Sequence, residues 1–309
     1  MDPHVEPRHD IAGSQRSVGV LLTGVRGQGS DCLLPSVPGI GGHVNQLSLF
    51  GDNASAPSSL HLGAQGFTYS SWVGPFYAPG TRSSAFLAHY AAQFDTVELD
   101  TTFYAIPRAS TVAGWRERTP AGFQFAAKFP KSITHEKLLA DCADETAAFL
   151  AAMTQLDRKL GPLLLQMPPS WAADQADTLA AFLAALPTGF RYALEVRHRS
   201  WLAKETFPRL LDLLRQQAVA LCLVQHAWMP RLDAVTAAFV YIRWLGRRSD
   251  IPDDDFSHVR INRDAQLDLW AEQVAGYLRA GVTVYGYFNN HYQGHSPASV
   301  RSLQMRLAE

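Results

Sequence analysis

The sequence has few cysteines, no long apolar run and no excess of charge of one sign. Its 309 residues include only Cys32, Cys142 and Cys222, which are far apart and match no metal-binding spacing. We therefore expect free thiols in a reducing compartment. Lysine and arginine number 27 against 28 aspartates and glutamates, so the net charge provides no attraction to nucleic acid or to an anionic membrane.

Signals for membrane insertion or secretion are also lacking. The apolar run within residues 16–24 is too short to span a bilayer, and the acidic, histidine-containing start is unlike a signal peptide. We predict a cytoplasmic protein that makes no membrane contact. Hydrophobic residues are 47% of the chain, and its length allows either two average domains or one large α/β barrel.

The first 58 residues differ in composition from the rest of the chain. Glycine, serine and proline recur there, aromatic residues are nearly absent, and no amphipathic period is sustained. This composition is typical of disordered segments. We predict a largely disordered tail over residues 1–58 and one folded domain over residues 59–309.

A short apolar peptide interrupts this tail at residues 46–50. Its sequence resembles the peptide with which bacterial replication and repair proteins bind the sliding clamp. Gln46 provides polar anchoring, and Leu47, Leu49 and Phe50 provide apolar side chains for a hydrophobic pocket. We predict a clamp-binding peptide, and the alternative is a small apolar patch that folds back on the barrel.

From residue 60 onward, short β-rich runs alternate with longer helical runs, which indicates repeated βα units and a parallel sheet. We predict eight strands, at residues 60–64, 96–99, 123–128, 163–167, 192–196, 219–224, 239–243 and 282–288. Helical periodicity covers residues 83–93, 136–160, 173–186, 207–217 and 264–280, with little or no helix between strands six and seven.

Eight such units predict an α/β fold, a (β/α)8 TIM-like barrel. An open, doubly wound sheet is the alternative, but the chain around Gly63 and Gly66 lacks the glycine-rich turn typical of that fold.

Charged and amide side chains recur at the predicted carboxyl ends of the strands, where barrels of this kind place their active sites. Charged groups are seldom buried without a partner, so their positions predict one shared polar pocket. In chain order, the candidates are Tyr69, Glu98, Tyr104, Lys128, His135, Gln166, Glu195, Arg197, Arg243, Asn289 and Asn290.

The motifs around these candidates resemble the DUF72 family, also called YecE-like proteins, over roughly residues 60–305. The matching stretches are residues 66–69 with Trp72, 76–80, 96–99 with 102–104 and Pro107, 125–128 with 133–135, 165–169, 195–198 with Trp201, 241–243 and 287–290. The resemblance implies a TIM-barrel-like fold without a settled activity. In many relatives a His-Gly pair follows the seventh-strand arginine, whereas here Trp244 follows Arg243.

Three of the candidates suit acid–base chemistry. Glu98 and Glu195 can serve as general acid and base, or as acid and nucleophile in glycoside cleavage, and His135 can transfer protons near neutral pH. The alternatives are structural ion pairs for the two glutamates and an ordinary loop position for the histidine. No spacing typical of a metal site accompanies them, so we predict no metal and no cofactor.

The other candidates suit ligand binding. Lys128, Arg197 and Arg243 predict an anion site, because arginine presents a bidentate fork to phosphate or carboxylate. Internal pairing with the two glutamates is the alternative. Stacking and hydrogen bonding to a substrate are predicted for the aromatic and amide candidates, which are Tyr69, Tyr104, Gln166, Asn289 and Asn290.

Three functional hypotheses follow. The first is a hydrolase or lyase that acts by acid–base chemistry on a small anionic, phosphate-bearing substrate. If residues 46–50 bind the clamp, the substrate would be the end of a nucleic acid. The second is a glycosidase-like hydrolase that uses Glu98 and Glu195, and the third is a non-catalytic phosphate- or nucleotide-binding module tethered to the clamp. Open space between carboxyls about 5–9 Å apart would favour glycoside cleavage, whereas direct ion pairs to arginine would favour a binding or structural network.

Overall fold

The computed structural model describes residues 59–226, 229–252 and 255–309, so the predicted tail and the clamp peptide lie outside the described residues. Eight parallel strands form one sheet, namely Leu60–Ala64 (β1), Thr96–Leu99 (β2), Gln124–Lys128 (β3), Leu160–Gln166 (β4), Tyr192–Glu195 (β5), Ala220–Gln225 (β6), Phe239–Trp244 (β7) and Thr283–Phe288 (β8). The helices between and after them are Phe86–Ala91 (α1), Ala109–Glu117 (α2), Ala143–Met153 (α3), Ala176–Ala185 (α4), Thr206–Gln216 (α5), Asp264–Arg279 (α6) and Ser296–Ala308 (α7).

The strands follow one another around a nearly closed barrel. The hydrogen-bonded order is β1-β8-β7-β6-β5-β4-β3-β2, and every pair is parallel. A single parallel bridge between Gln65 and Glu98 joins the two ends, where the Gly66 N–H donates to the Glu98 carbonyl over 2.9 Å. The predicted (β/α)8 barrel is therefore confirmed, and the doubly wound sheet is excluded by this strand order.

The seam between β1 and β2 is closed by a side chain rather than by a regular ladder. The fully buried Tyr90 hydroxyl of α1 accepts a hydrogen bond from the Ala64 N–H over 2.7 Å and donates to the Thr96 carbonyl over 2.9 Å. Gly63 faces the same carbonyl so closely that a Cβ there would lie 2.1 Å from the Thr96 oxygen. Only glycine permits this approach, because a Cβ at that distance would overlap the backbone.

The alternation along β7 explains how an arginine comes to lie inside the barrel. Phe239 and Tyr241 belong to the inner core, and Arg243 continues the same face because side chains alternate with a period of two. Trp244 points the other way, toward the helices, and stacks on Phe288 with ring centroids 4.2 Å apart. The position after Arg243 is thus a packing position, which accounts for a tryptophan there.

The predicted helix over residues 136–160 is wrong in its first part. The chain forms a π-helical turn at Ser132–Glu136, and α3 begins only at Ala143. Between them, Leu138, Leu139 and Asp141 adopt positive φ angles of 50°, 71° and 45°, which an α-helix does not accommodate. The apolar residues on both sides of this break keep a helical spacing, which is why the sequence pattern did not indicate it. Helices α2 and α7 were not predicted.

Two further features concern the connections and the helices. Between β6 and β7 the described residues contain no helix, as expected for so short a connection. No helix within the described ranges is both long enough and apolar enough to cross a membrane.

We predict that Tyr90→Phe lowers the free energy of unfolding by about 1–3 kcal/mol, because the Ala64 N–H and the Thr96 carbonyl lose a buried partner. Urea denaturation measures this change. Tyr104→Phe is the matched control, since Tyr104 is 78% exposed. Equal stability of the Tyr90→Phe variant and the parent protein would show that the seam does not depend on this hydroxyl.

Candidate functional site

Arg243 lies at the centre of a buried ion-pair network at the carboxyl end of the barrel. Its side chain is almost completely buried, and its Nε and Nη2 donate to the two Glu98 oxygens over 3.0 and 2.7 Å. Its Nη1 donates to Glu195 Oε2 over 2.6 Å and to Gln166 Oε1 over 3.2 Å. One guanidinium therefore holds side chains from β2, β4 and β5 in fixed positions.

Glu98 is the most deeply buried acid of this network. Besides its bidentate contact with Arg243, it accepts a hydrogen bond of 2.6 Å from the Tyr241 hydroxyl. Burial raises the pKa of Glu98 above its ordinary value, and the Arg243 guanidinium opposes that rise. Three donors occupy this carboxylate, and its side chain has no exposure to solvent.

Glu195 is the second buried acid, and it bridges two arginines. Its Oε2 accepts from Arg243, and its Oε1 accepts from Arg197 Nε over 2.6 Å. Burial raises the pKa of Glu195, but the Arg197 and Arg243 guanidiniums outweigh that effect and lower it to about 2. Glu195 is consequently a permanent anion at neutral pH.

The two glutamates are thus not arranged as a catalytic acid pair. All four carboxylate oxygens accept a hydrogen bond from the protein, and both side chains are buried. A glycosidase needs one protonated acid and open space for the glycosidic bond. The direct ion pairs with Arg243 instead favour a binding or structural network, so the geometry does not favour the glycosidase hypothesis.

Above the network a cavity of about 550 Å³ opens at the carboxyl end of the barrel. Among the described residues, five lysines or arginines and one aspartate line it, together with polar and aromatic side chains. The cationic set is Lys128, Arg197, Arg243, Arg247 and Arg248. Even when the two buried glutamates beneath the cavity are counted, the described residues contribute five cations and three carboxylates, so the local charge that they provide is positive.

Lys128 and Asp100 form the wall that follows β2 and β3. Lys128 Nζ lies 3.3 Å from Asp100 Oδ1 and 4.4 Å from the centre of the Phe103 ring. The ammonium group is therefore held by an ion pair and by a cation–π contact. Asp100 Oδ1 also lies 3.9 Å from Arg243 Nη2, which connects this wall to the buried network.

His135 lines the cavity as a neutral imidazole. Its Nδ1 lies 2.9 Å from Thr134 Oγ1, and the single proton of that hydroxyl donates to the Pro130 carbonyl over 3.2 Å. We therefore assign the proton of the imidazole to Nδ1, which leaves a lone pair on Nε2. Burial, Lys128 and Arg197 lower the pKa of His135 to about 4.

The remaining predicted residues divide between the cavity and its support. Gln166, Asn289 and Tyr104 line the cavity, and Asn289 Nδ2 donates to Gln65 Oε1 over 2.9 Å. Asn290 is buried, and its Oδ1 accepts from Ser296 at the start of α7, so it supports a helix rather than facing the cavity. Tyr69 donates to the Gln65 carbonyl and also lies outside the cavity lining.

Among the cavity residues that were not candidates, Arg247 and Arg248 carry a positive charge and Asp100 carries a negative one. The two arginines follow β7 in a loop and are exposed, and adjacent arginines a few residues beyond a strand end were the available signal. Among the described residues, no group of three or more His, Cys, Asp or Glu side chains is placed to hold a metal ion.

Comparison with known proteins finds a matching family model and relatives in two bacteria. A family model described as "Protein of unknown function DUF72" matches residues 61–309. The UPF0759 protein YecE of Escherichia coli is 33% identical over 265 residues, which cover 79% of this chain and 91% of that protein. The UPF0759 protein YunF of Bacillus subtilis is 31% identical over 153 residues, which cover 46% of this chain and 52% of that protein.

Solved structures of similar proteins have the same fold. A DUF72 family protein of Thermotoga maritima matches with a TM-score of 0.67 at 25% identity, over 81% of this chain and 100% of that chain. A DUF72 family protein of Enterococcus faecalis matches with a TM-score of 0.66 at 22% identity, over 82% and 98%. With the barrel, the family model and the relative from Escherichia coli in agreement, the chain belongs to the DUF72 family of YecE-like proteins.

Proposed function

We propose that the cavity at the carboxyl end of the barrel binds a small phosphate-bearing ligand. The observation that carries this proposal is the excess of cations among the described residues around the cavity. Both buried glutamates are already bound by Arg243. Since those carboxylates are occupied, the cations at the rim remain available to a ligand.

Arg197 is the best placed of these cations. Its Nε is held by Glu195, and no described residue accepts a hydrogen bond from its two terminal nitrogens. Its side chain is partly exposed and lines the cavity. A guanidinium anchored through Nε presents its two terminal nitrogens as a preformed fork for a phosphate.

His135 is the group that we propose for acid–base chemistry on the bound ligand. It is neutral at pH 7 and carries a lone pair on Nε2, and an anionic ligand that raises its pKa toward neutrality would make it a stronger base. An enzyme of hydrolase or lyase type, with His135 as base, is the first form of this proposal. A non-catalytic phosphate-binding module is the second form, and the full occupation of Glu98 and Glu195 favours it because those acids are withdrawn from chemistry.

We predict that the Arg247→Gln and Arg248→Gln double variant weakens the binding of inorganic phosphate by about three- to tenfold, because two exposed charge-assisted contacts are lost. Isothermal titration calorimetry at low ionic strength measures the change. The control is the double variant Arg209→Gln and Arg279→Gln, which removes the same charge from exposed positions of α5 and α6. Equal weakening in both variants, or no phosphate binding at all, would contradict the proposal.

We predict that His135 titrates with a pKa of about 4 in the free protein and that bound phosphate raises this pKa, because the anion opposes the effect of Lys128 and Arg197. Two-dimensional NMR of the imidazole C–H groups measures both values, and His135→Gln identifies the signal. Since the folded-state pKa lies below the ordinary value of 6.5, His135 lowers stability as the pH falls from about 6.5 to 4. A midpoint near 6.5 in the free protein would contradict the assignment.

The clamp-binding peptide stays a separate proposal, because Gln46, Leu47, Leu49 and Phe50 lie outside the described residues. We predict that purified bacterial sliding clamp retains the full chain and that Phe50→Ala abolishes this retention, since the terminal aromatic fills the hydrophobic pocket. The control is Phe67→Ala, which leaves the peptide intact. Retention that is unchanged by Phe50→Ala would contradict the proposal that residues 46–50 bind the clamp.

A further inference from the structure

The cavity contains two hydrogen-bond acceptors, with which an anion that lacks a donor cannot form a hydrogen bond. The first is Asp100, whose Oδ1 is buried beside Lys128 while a third of its side chain remains exposed in the cavity wall. Its accessible oxygen is therefore Oδ2. A carboxylate in a phosphate site repels the phosphate unless the ligand brings a donor to it.

The second acceptor is Nε2 of His135. The hydrogen bond between Nδ1 and Thr134 keeps the imidazole proton on Nδ1. The lone pair of Nε2 is therefore left for another partner. The Phe103 ring packs against the imidazole with centroids 4.9 Å apart and restrains its orientation. A neutral histidine held in this way accepts a hydrogen bond from a ligand donor.

The two acceptors lie with Lys128 in one sector of the barrel, and three of the five cations lie in another. Asp100 follows β2, and His135 follows the adjacent β3. Arg197 follows β5, and Arg247 and Arg248 follow β7, further around the strand order. A cavity of about 550 Å³ is also larger than a single phosphate needs. A ligand that satisfies both sectors carries an anion at one end and donors at the other.

We propose that the ligand is a hydroxyl-bearing phosphate monoester, such as a phosphorylated polyol or sugar, with its hydroxyls donated to Asp100 and His135. This inference rests on the proposed phosphate site and specifies the class of its ligand. Hydroxyls fit better than an ammonium group, because five cations around the cavity would repel a positive charge. The exposed Tyr104 at the rim offers an apolar face to the carbon chain.

The test compares three probes on the full chain by isothermal titration calorimetry, namely inorganic phosphate, propyl phosphate and glycerol 3-phosphate. The two esters have the same number of carbons and differ in two hydroxyls. We expect glycerol 3-phosphate to bind about tenfold more tightly than propyl phosphate, as expected for hydrogen bonds to a charged acceptor. We expect Asp100→Asn to remove most of this preference while inorganic phosphate binds at least as tightly as before.

Asp212→Asn is the control, since Asp212 is an exposed acid on α5 and should leave the preference unchanged. Equal binding of the two esters, with phosphate binding retained, overturns the hydroxyl inference and leaves the phosphate site standing. Absence of binding by all three probes overturns both proposals. A preference that persists undiminished in Asp100→Asn overturns the role of Asp100, and the comparison on the parent protein decides the ligand class even if that variant fails to fold.

Discussion

The structure of the site depends on one buried guanidinium held between two buried carboxylates. Moving three such charges out of water is unfavourable by several kcal/mol for each ion, and only dense hydrogen bonding offsets this. Arg243 meets the requirement by donating to both Glu98 oxygens and to Glu195, while Tyr241 and Arg197 supply the other acid contacts. Removal of one partner from such a network typically costs about 3–5 kcal/mol, since it leaves the remaining charges unpaired.

This network also determines which charges a ligand meets. Arg243 forms ion pairs with both glutamates beneath the cavity. Glu195 also accepts a hydrogen bond from Arg197 Nε and thereby orients the Arg197 guanidinium. Of the described residues that line the cavity above, five are lysine or arginine, and Asp100 is the one acid. The same ion pairs that stabilise the interior therefore neutralise the two buried glutamates beneath the positively charged side chains of the cavity.

The sequence predicted where the charged side chains lie along the strands but not which of them form ion pairs with one another. Strand periodicity placed Glu98, Glu195 and Arg243 at the carboxyl ends of their strands, because side-chain alternation and a parallel barrel leave no other location for them. Which acid binds which cation depends on rotamers and on the stagger of the strands, and these are tertiary properties. Asn290 illustrates the same point, since an amide beside a strand end can equally accept from the first N–H groups of a helix, as it does from Ser296. The positive φ angles before α3 were also unpredictable, because Leu138 and Leu139 rarely adopt them.

Glu98 finally connects the stability of the barrel to the site. Its backbone forms the bridge to Gln65 and accepts from the Gly66 N–H, so it joins the two ends of the sheet. Its side chain meanwhile anchors Arg243 from the opposite side of the strand order. A residue that acts as a catalytic acid must expose its carboxyl to a ligand, whereas a residue that closes a barrel and neutralises a buried arginine must not. The contacts of Glu98 therefore fit a structural part, whereas Asp100, Lys128, His135 and Arg197 line the cavity that a ligand would enter.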